Sequence, residues 1–223
     1  MTHRVLIAMT SHAQKGDTGQ PTGAFLPEIA HPYDVFSRAG YEIELVSVRG
    51  GQVPLDGVED ADATSRAFLQ GHRDDLAHTA AAASVDASRF DVIFFAGGHG
   101  AMWDFPESAA FAKIASGIYE KGGIVSAVCH GPAALVNLKL SSGEYLVAGK
   151  KVSAFTNEEE RAVGLAEVVP FLLADKLIER GALHQPAALW QKQVVVDGRL
   201  VTGQNPASAA GVAEAVVGVL AER

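Results

Sequence analysis

A single cysteine, Cys129, stands in a chain of 223 residues, which excludes an internal disulfide and any metal cage built from thiolates. No apolar run approaches the about 20 residues needed to cross a bilayer. Met1-Thr2-His3-Arg4 leads straight into Val5-Leu6-Ile7-Ala8-Met9, without the long apolar core and cleavage pattern of a secretion signal. Basic residues are sparse as well. The formal charge is −8 and no Lys/Arg cluster is longer than Lys150-Lys151, so no nucleic acid is expected as a partner. Neither Gly-x-x-x-x-Gly-Lys-Ser/Thr nor Gly-x-Gly-x-x-Gly occurs, which leaves nucleotide binding without a motif. Together these absences predict a soluble, cytoplasmic protein that does not enter a membrane.

What is present is a substantial core. Hydrophobic residues make up 48% of the chain, enough for one domain spanning 1–223, and no linker, internal repeat or low-complexity tract divides it. Short apolar runs at Val5–Met9, Phe90–Ala96 and Ile124–Val128 read as strands buried on both faces, and Tyr41–Val48 alternates as a half-exposed strand. Between them lie helical patterns. Phe25, Ile29, Tyr33 and Phe36 share one helical face in a run from Thr22 to Gly40, with Pro27 tolerable in a first turn and Pro32 expected to kink or split the helix. Ala61–Ala83 suggests one or two surface helices with solvated His72 and His78, and Glu107–Glu120 an amphipathic helix. Lys150–Phe155 reads as a later strand, followed by a helix capped by Thr156 or Asn157, whose three acids suit a solvated first turn. A helix over Val168–Arg180 with Pro170 in its first turn, an Asp197-Gly198 hairpin, and a last helix with Asn205 as N-cap and Pro206 as its first residue complete the chain. The alternation predicts an α/β fold, a doubly wound and mostly parallel sheet with helices on both faces.

Chemistry concentrates where strands end. Ile124–Val128 runs into Cys129-His130-Gly131-Pro132-Ala133-Ala134-Leu135, a strand, a sharp turn and a helix opened by proline. That is the geometry of a nucleophile elbow, where a helix start should ease ionisation of the thiol. Free cysteines are most often small buried hydrophobes, but a cysteine at the C-terminal end of a strand, beside glycine, is placed as a site residue in open α/β sheets. The cluster Gly97-Gly98-His99-Gly100 directly follows another strand, and serves equally as a tight turn or as backbone donors for an anion. The polar loop Thr10–Thr22 leaves the same edge. Glu28, near a helix start, reads on its own as a surface acid favoured by the helix dipole.

Five motifs in order, Thr22-Gly23 with Glu28, Ala96-Gly97-Gly98-His99-Gly100, Ala127-Val128-Cys129-His130-Gly131-Pro132, Phe155-Thr156-Asn157-Glu158-Glu159-Glu160 and Gly203-Gln204-Asn205-Pro206-Ala207-Ser208, make the chain resemble the ThiJ/PfpI superfamily. The resemblance covers nearly the whole chain and is to the branch of heat-shock chaperone-like, glutathione-independent glyoxalases (glyoxalase III). It implies a flavodoxin-like fold similar to class I glutamine amidotransferases, and often a homodimer. It also implies Cys129 as nucleophile, His130 as its base, Glu160 as the third member of the triad with Glu159 as rival, and Glu28 as the acid beside the sulfur. Gly98 and His130 would supply the oxyanion N–H groups, with His99 beside the substrate, and neither metal nor cofactor is implied. A thiolate beside a carboxyl requires that carboxyl to be protonated, so Glu28 should have a raised pKa from burial. The implied reaction takes a small 2-oxoaldehyde, methylglyoxal or glyoxal, to lactate or glycolate, with His130 or Glu28 as the base that moves the carbon-bound proton. The same elbow suits an amide hydrolase, protease or deglycase, and the lone cysteine suits a redox sensor in a stress-response chaperone.

Overall fold

Strand β1 (Arg4–Met9) sorts its side chains to two sides, as successive residues of a strand must. Val5, Ile7 and Met9 enter one apolar core, and Leu6 and Ala8 the other. The computed structural model describes residues 2–222. Its main sheet has seven strands: β1, β2 (Glu42–Ser47), β3 (Ala80–Ala81), β4 (Val92–Phe95), β5 (Ile124–Val128), β6 (Val194–Asp197) and β7 (Leu200–Gly203). They lie in the order β6-β7-β5-β4-β1-β2-β3. All pairs are parallel except the β6–β7 hairpin at one edge, where Asp197 faces Leu200 across the turn.

Helices cover both faces. On one, α1 (Leu26–Arg38) and α8 (Ala209–Ala221) pack Leu26, Ile29, Phe36, Val212 and Val216 against Ile7, Phe94 and Val128. On the other, α5 (Ala109–Glu120) sets Phe111, Ile114 and Ile118 against Leu6, Ile93 and Val125. Each side chain so buried contributes about 1.5–3 kcal/mol. The smaller helices are α2 (Ala63–Gly71), α3 (Arg73–Ala77), α4 (Ala101–Asp104), α6 (Asn157–Ala162) and α7 (Leu173–Glu179). The chain runs outward from β1 to β2 and β3, then returns to the other side of β1 for β4, β5 and β7. The reversal lies between β1 and β4, and open α/β sheets bind ligands beyond the strand ends at such a point.

Several local expectations need correction. Helix α1 starts at Leu26 rather than Thr22, because Ala24–Phe25 is drawn into a two-residue pairing with Leu55–Asp56. Pro32 lies inside α1 without splitting it, held between β1 and α8 by its buried neighbours Ile29 and Phe36. The element after the elbow is a five-residue 3-10 turn, Gly131–Leu135, and not an α-helix. Lys151–Val152 leaves the main sheet to pair with Leu183–His184. Pro170 falls before α7, which begins at Leu173. Asn205 precedes a 3-10 turn, Pro206–Ser208, and makes no capping bond. Its side-chain amide reaches the acid Glu159 and the Gln191 carbonyl instead. His72 is not simply solvated: it pairs with Asp75 at 2.8 Å and lies against the Tyr33 and Phe68 rings.

Candidate active site

Cys129 follows β5 directly and holds a left-handed backbone with φ of +60°. Such strain in a residue other than glycine persists only where neighbours enforce it. Here its N–H donates to the Gly203 carbonyl at 2.9 Å and its carbonyl accepts from the Phe155 N–H at 2.9 Å. The turn leaves Sγ buried but facing a cavity of about 310 Å³. His130, the next residue, swings its ring back so that Nδ1 lies 3.4 Å from Sγ.

Behind that ring stands Glu160 in α6. Thr156 is the helix cap, its Oγ1 accepting from the Glu159 N–H, while the Glu159 carboxylate accepts from the Thr156 N–H, a reciprocal capping box. This fixes the first turn and sends the two neighbouring acids in different directions. Glu160 Oε2 accepts from His130 Nε2 at 2.7 Å, and Oε1 from His99 Nε2 at 2.7 Å. Glu159 meets neither histidine. Its Oε1 accepts from the Trp190 N–H, Gln204 Nε2 and Asn205 Nδ2 at 2.9–3.0 Å. The expectation of a solvated acidic turn therefore fails for two of its three members, since Glu159 and Glu160 are both buried.

Burial pushes the Glu160 carboxyl up, but the bonds from His130 and His99 outweigh it and hold its pKa down to about 2. An ionised carboxylate only accepts, so both Nε2 atoms must carry the hydrogens they share with it. Burial, joined by the neighbouring His99, lowers the His130 pKa to about 4, against the pull of Glu160. The imidazole is neutral near pH 7. With the hydrogen on Nε2, its Nδ1 offers a lone pair to the thiol.

On the other side of the sulfur, the first turn of α1 carries Glu28. It is fully buried rather than a surface acid. Burial raises its pKa to about 8, against a partial lowering by the adjacent Cys129 thiol and Gly97 N–H. Neither neighbour reaches full hydrogen-bond geometry, so both carboxyl oxygens lack a partner among the described residues. The approach is close enough that a Cβ on Gly97 would lie 2.2 Å from Glu28 Oε2 and 2.9 Å from Cys129 Cβ. Only glycine fits there. Contrary to the expectation of an easily ionised thiol, Cys129 is pushed well up, first by burial and then by the Glu28 charge. The His130 N–H draws it down.

The N–H groups of Gly98 and His130, the expected oxyanion donors, donate to no backbone carbonyl among the described residues. Gly98 has φ of +103°, and a side chain there would strike the Gly23 carbonyl at 2.3 Å. His99, Nε2 engaged by Glu160, packs its ring 4.1 Å from that of His130 and lines the cavity. His99, His130 and Glu160 bring three possible ligand atoms within 4.8 Å of one another. Both carboxylate oxygens are already occupied by N–H donors, so a cation would have to displace two protons.

The residues that sequence reasoning missed are those shaping the site. Asp104 in α4 accepts from Thr10 Oγ1 and the Ser11 N–H at 2.7 and 2.8 Å, and so pins the loop after β1. Phe25, Phe155, Val163, Leu165 and Trp190 form the cavity wall. Only Phe155, next to the Thr156 cap, carried any signal.

Residues 23–218 match the DJ-1/PfpI family. The chain belongs to that family. Glyoxalase 3 of Candida albicans is 36% identical over 233 residues, covering 96% of this chain and 97% of that protein. The crystal structure of glyoxalase III from Candida albicans superposes with a TM-score of 0.91 at 34% identity, covering 97% of each chain. That of the Rapid Encystment Protein 24 kDa of Francisella tularensis gives 0.96 at 38% identity, covering 98% of this chain and 99% of its own. The family match begins after β1 and runs through the other six strands of the main sheet into α8, and the superposition on glyoxalase III covers 97% of this chain. No helix of the described residues is long and apolar enough to cross a membrane.

Proposed function

We propose that this protein is a glutathione-independent glyoxalase, a lyase that hydrates methylglyoxal to lactate and glyoxal to glycolate through a hemithioacetal on Cys129. One observation carries the reading. The ionised Glu160 carboxylate holds His130 with its hydrogen on Nε2, which leaves Nδ1 as a base 3.4 Å from the only thiol. The glyoxalase relatives, alike over nearly the full chain, support a 2-oxoaldehyde as the substrate class.

Sγ attacks the aldehyde carbon while His130 Nδ1 takes the thiol proton, and the new imidazolium is stabilised by Glu160. Oxygen charge develops toward the Gly98 and His130 N–H groups, neither of which is engaged by a backbone carbonyl among the described residues. Glu28, protonated near pH 7, adds no negative charge beside the sulfur and presents its own proton to it. Once the oxyanion has taken the proton from His130, the imidazole removes the hydrogen from the former aldehyde carbon and the resulting enediol takes it up at the neighbouring carbon. The first carbon becomes a thioester carbonyl and the second an alcohol. Water then breaks the C–S bond, releasing the hydroxy acid and the thiol. The first carbon is oxidised by as much as the second is reduced, so no outside oxidant or reductant enters. Cys129 supplies the sulfur that glutathione would otherwise bring.

The test is purified protein with methylglyoxal and no added thiol. Wild type forms lactate, and Cys129→Ala forms none above the uncatalysed rate. Lactate at the wild-type rate from the Ala variant overturns the reading.

A further inference from the structure

The cavity over Cys129 is deeper in apolar surface than methylglyoxal can use. Its volume of about 310 Å³ matches the lower end of sites for ligands much larger than methylglyoxal, roughly 300–1,000 Å³. Apart from the groups assigned to the chemistry, its polar lining residues are Lys15 and Asp56, of opposite charge, so no net charge favours an anionic or cationic substituent. The remaining wall is apolar, and it is continuous. The Phe155 ring lies 4.3 Å from that of His130, and the Trp190 ring 5.8 Å beyond Phe155. Trp190 is 46% exposed and Val163 42%, and both line the cavity. Apolar surface gathered round a cavity marks a ligand site, unlike single exposed residues scattered elsewhere.

Trp190 is also held there at a cost. It is the one described residue besides Cys129 that adopts positive φ without being glycine, at +62°. Its N–H donates at 3.0 Å to Glu159 Oε1, and the same buried carboxylate accepts from Thr156, Gln204 and Asn205. Five donors from three segments thus converge on one acid whose carboxylate has no contact with the reacting groups. Strain maintained by a buried network beside a site is a mark of function.

We propose that Phe155 and Trp190 form a pocket for the substituent of the 2-oxoaldehyde, and that the preferred substrates carry an apolar or aromatic group in place of the methyl of methylglyoxal. The inference rests on the glyoxalase reading and specifies its substrate class. With phenylglyoxal as the probe, the aldehyde carbon meets Sγ, the ring lies against Phe155 and Trp190, and addition of one water gives mandelate by the same internal transfer. Glu159 is a positioning residue that acts through Trp190.

The experiment measures kcat/KM for phenylglyoxal and for methylglyoxal in the same preparations of wild type, Trp190→Ala and Trp190→Phe. Taking their ratio within each protein and comparing it between proteins cancels the intrinsic reactivity of the two aldehydes. Wild type favours phenylglyoxal, and in Trp190→Ala the ratio falls about 10-fold, the loss of one aromatic contact, mostly through KM. Trp190→Phe restores it to within about 3-fold of wild type, which a structural defect at this exposed position would not do. A ratio unchanged in Trp190→Ala, or wild type favouring methylglyoxal, overturns the proposal while leaving the glyoxalase reading intact. Wild type that turns over neither aldehyde overturns both.

Discussion

Glu28 and Glu160 are both buried carboxyls flanking the Cys129–His130 pair, yet one is raised to about 8 and the other lowered to about 2. Burial acts on both in the same direction, since desolvation disfavours the charged form. What separates them is hydrogen-bond donors. Glu160 receives two N–H bonds at 2.7 Å, whereas neither Glu28 oxygen has a partner of good geometry. Near pH 7 the first turn of α1 therefore holds a proton beside the sulfur, and α6 holds a fixed negative charge behind the base. The same side chain gives an acid and an anion according to what its surroundings donate.

The most damaging way to break this contrast is to remove the anion. Glu160→Gln leaves the helix cap and the His130 ring in place but no longer requires the hydrogen to sit on Nε2, so Nδ1 is not kept free for the thiol. Lactate formation should fall by about 10³–10⁴-fold, as when the orienting acid of a catalytic triad becomes an amide. Glu159→Gln serves as the neighbouring control, since that acid touches neither histidine. An equal kcat loss in both variants would show that the helix turn, and not the Glu160 charge, matters.

Glu28 makes the opposite prediction, that removing it stabilises the fold. Its folded pKa lies above the unfolded value, 4.5 against about 8. Between these limits the native state holds a proton that the unfolded chain releases, so stability falls as pH rises through the window. Glu28→Gln removes this dependence. At pH 7 the variant should be about 3 kcal/mol more stable than wild type, at 1.36 kcal/mol per pH unit, with no difference below about pH 4.5. Denaturant unfolding of both proteins at the two pH values checks it. A difference independent of pH would mean that packing, not the proton, sets the stability of this site.

How much of this was readable from the chain follows from the range of each interaction. β1, β2, β4, β5 and the β6–β7 hairpin announce themselves as short apolar or alternating runs, and the elbow is written in consecutive residues. Cys129, His130 and Gly98 were legible for that reason. Elements of two residues, such as Ala24–Phe25 and Lys151–Val152, exist only because a distant segment pairs with them, and no local pattern encodes that. The two adjacent acids show the limit best. Glu159 and Glu160 are identical as letters, and a turn of helix plus the positions of Thr156, His130 and Trp190 assign one to the base and the other to the cavity wall. Asn205 was misread for a related reason. Its sequence suits a helix cap, but a buried carboxylate 46 residues away claims its amide.

The finest distinction between the two acids is kinetic. In the proposed mechanism Glu28 acts in its protonated form, since its charge would oppose that of the thiolate, whereas Glu160 acts as the carboxylate. His130 serves as a base only when neutral, above its pKa of about 4. Wild-type kcat/KM should therefore rise through about pH 4 and decline above about pH 8, where Glu28 ionises. Because thiol and carboxyl interact, the upper limb belongs to the pair. Glu28→Gln keeps an N–H donor beside the sulfur but cannot ionise. It should lose about 10-fold in rate at pH 7 and show no decline between pH 7 and 9, since what remains is a general-acid contact without its titration. A pH profile of lactate formation in the two proteins decides the matter. If the alkaline limb persists unchanged in Glu28→Gln, another group carries it, and the proton beside the sulfur is not that of Glu28.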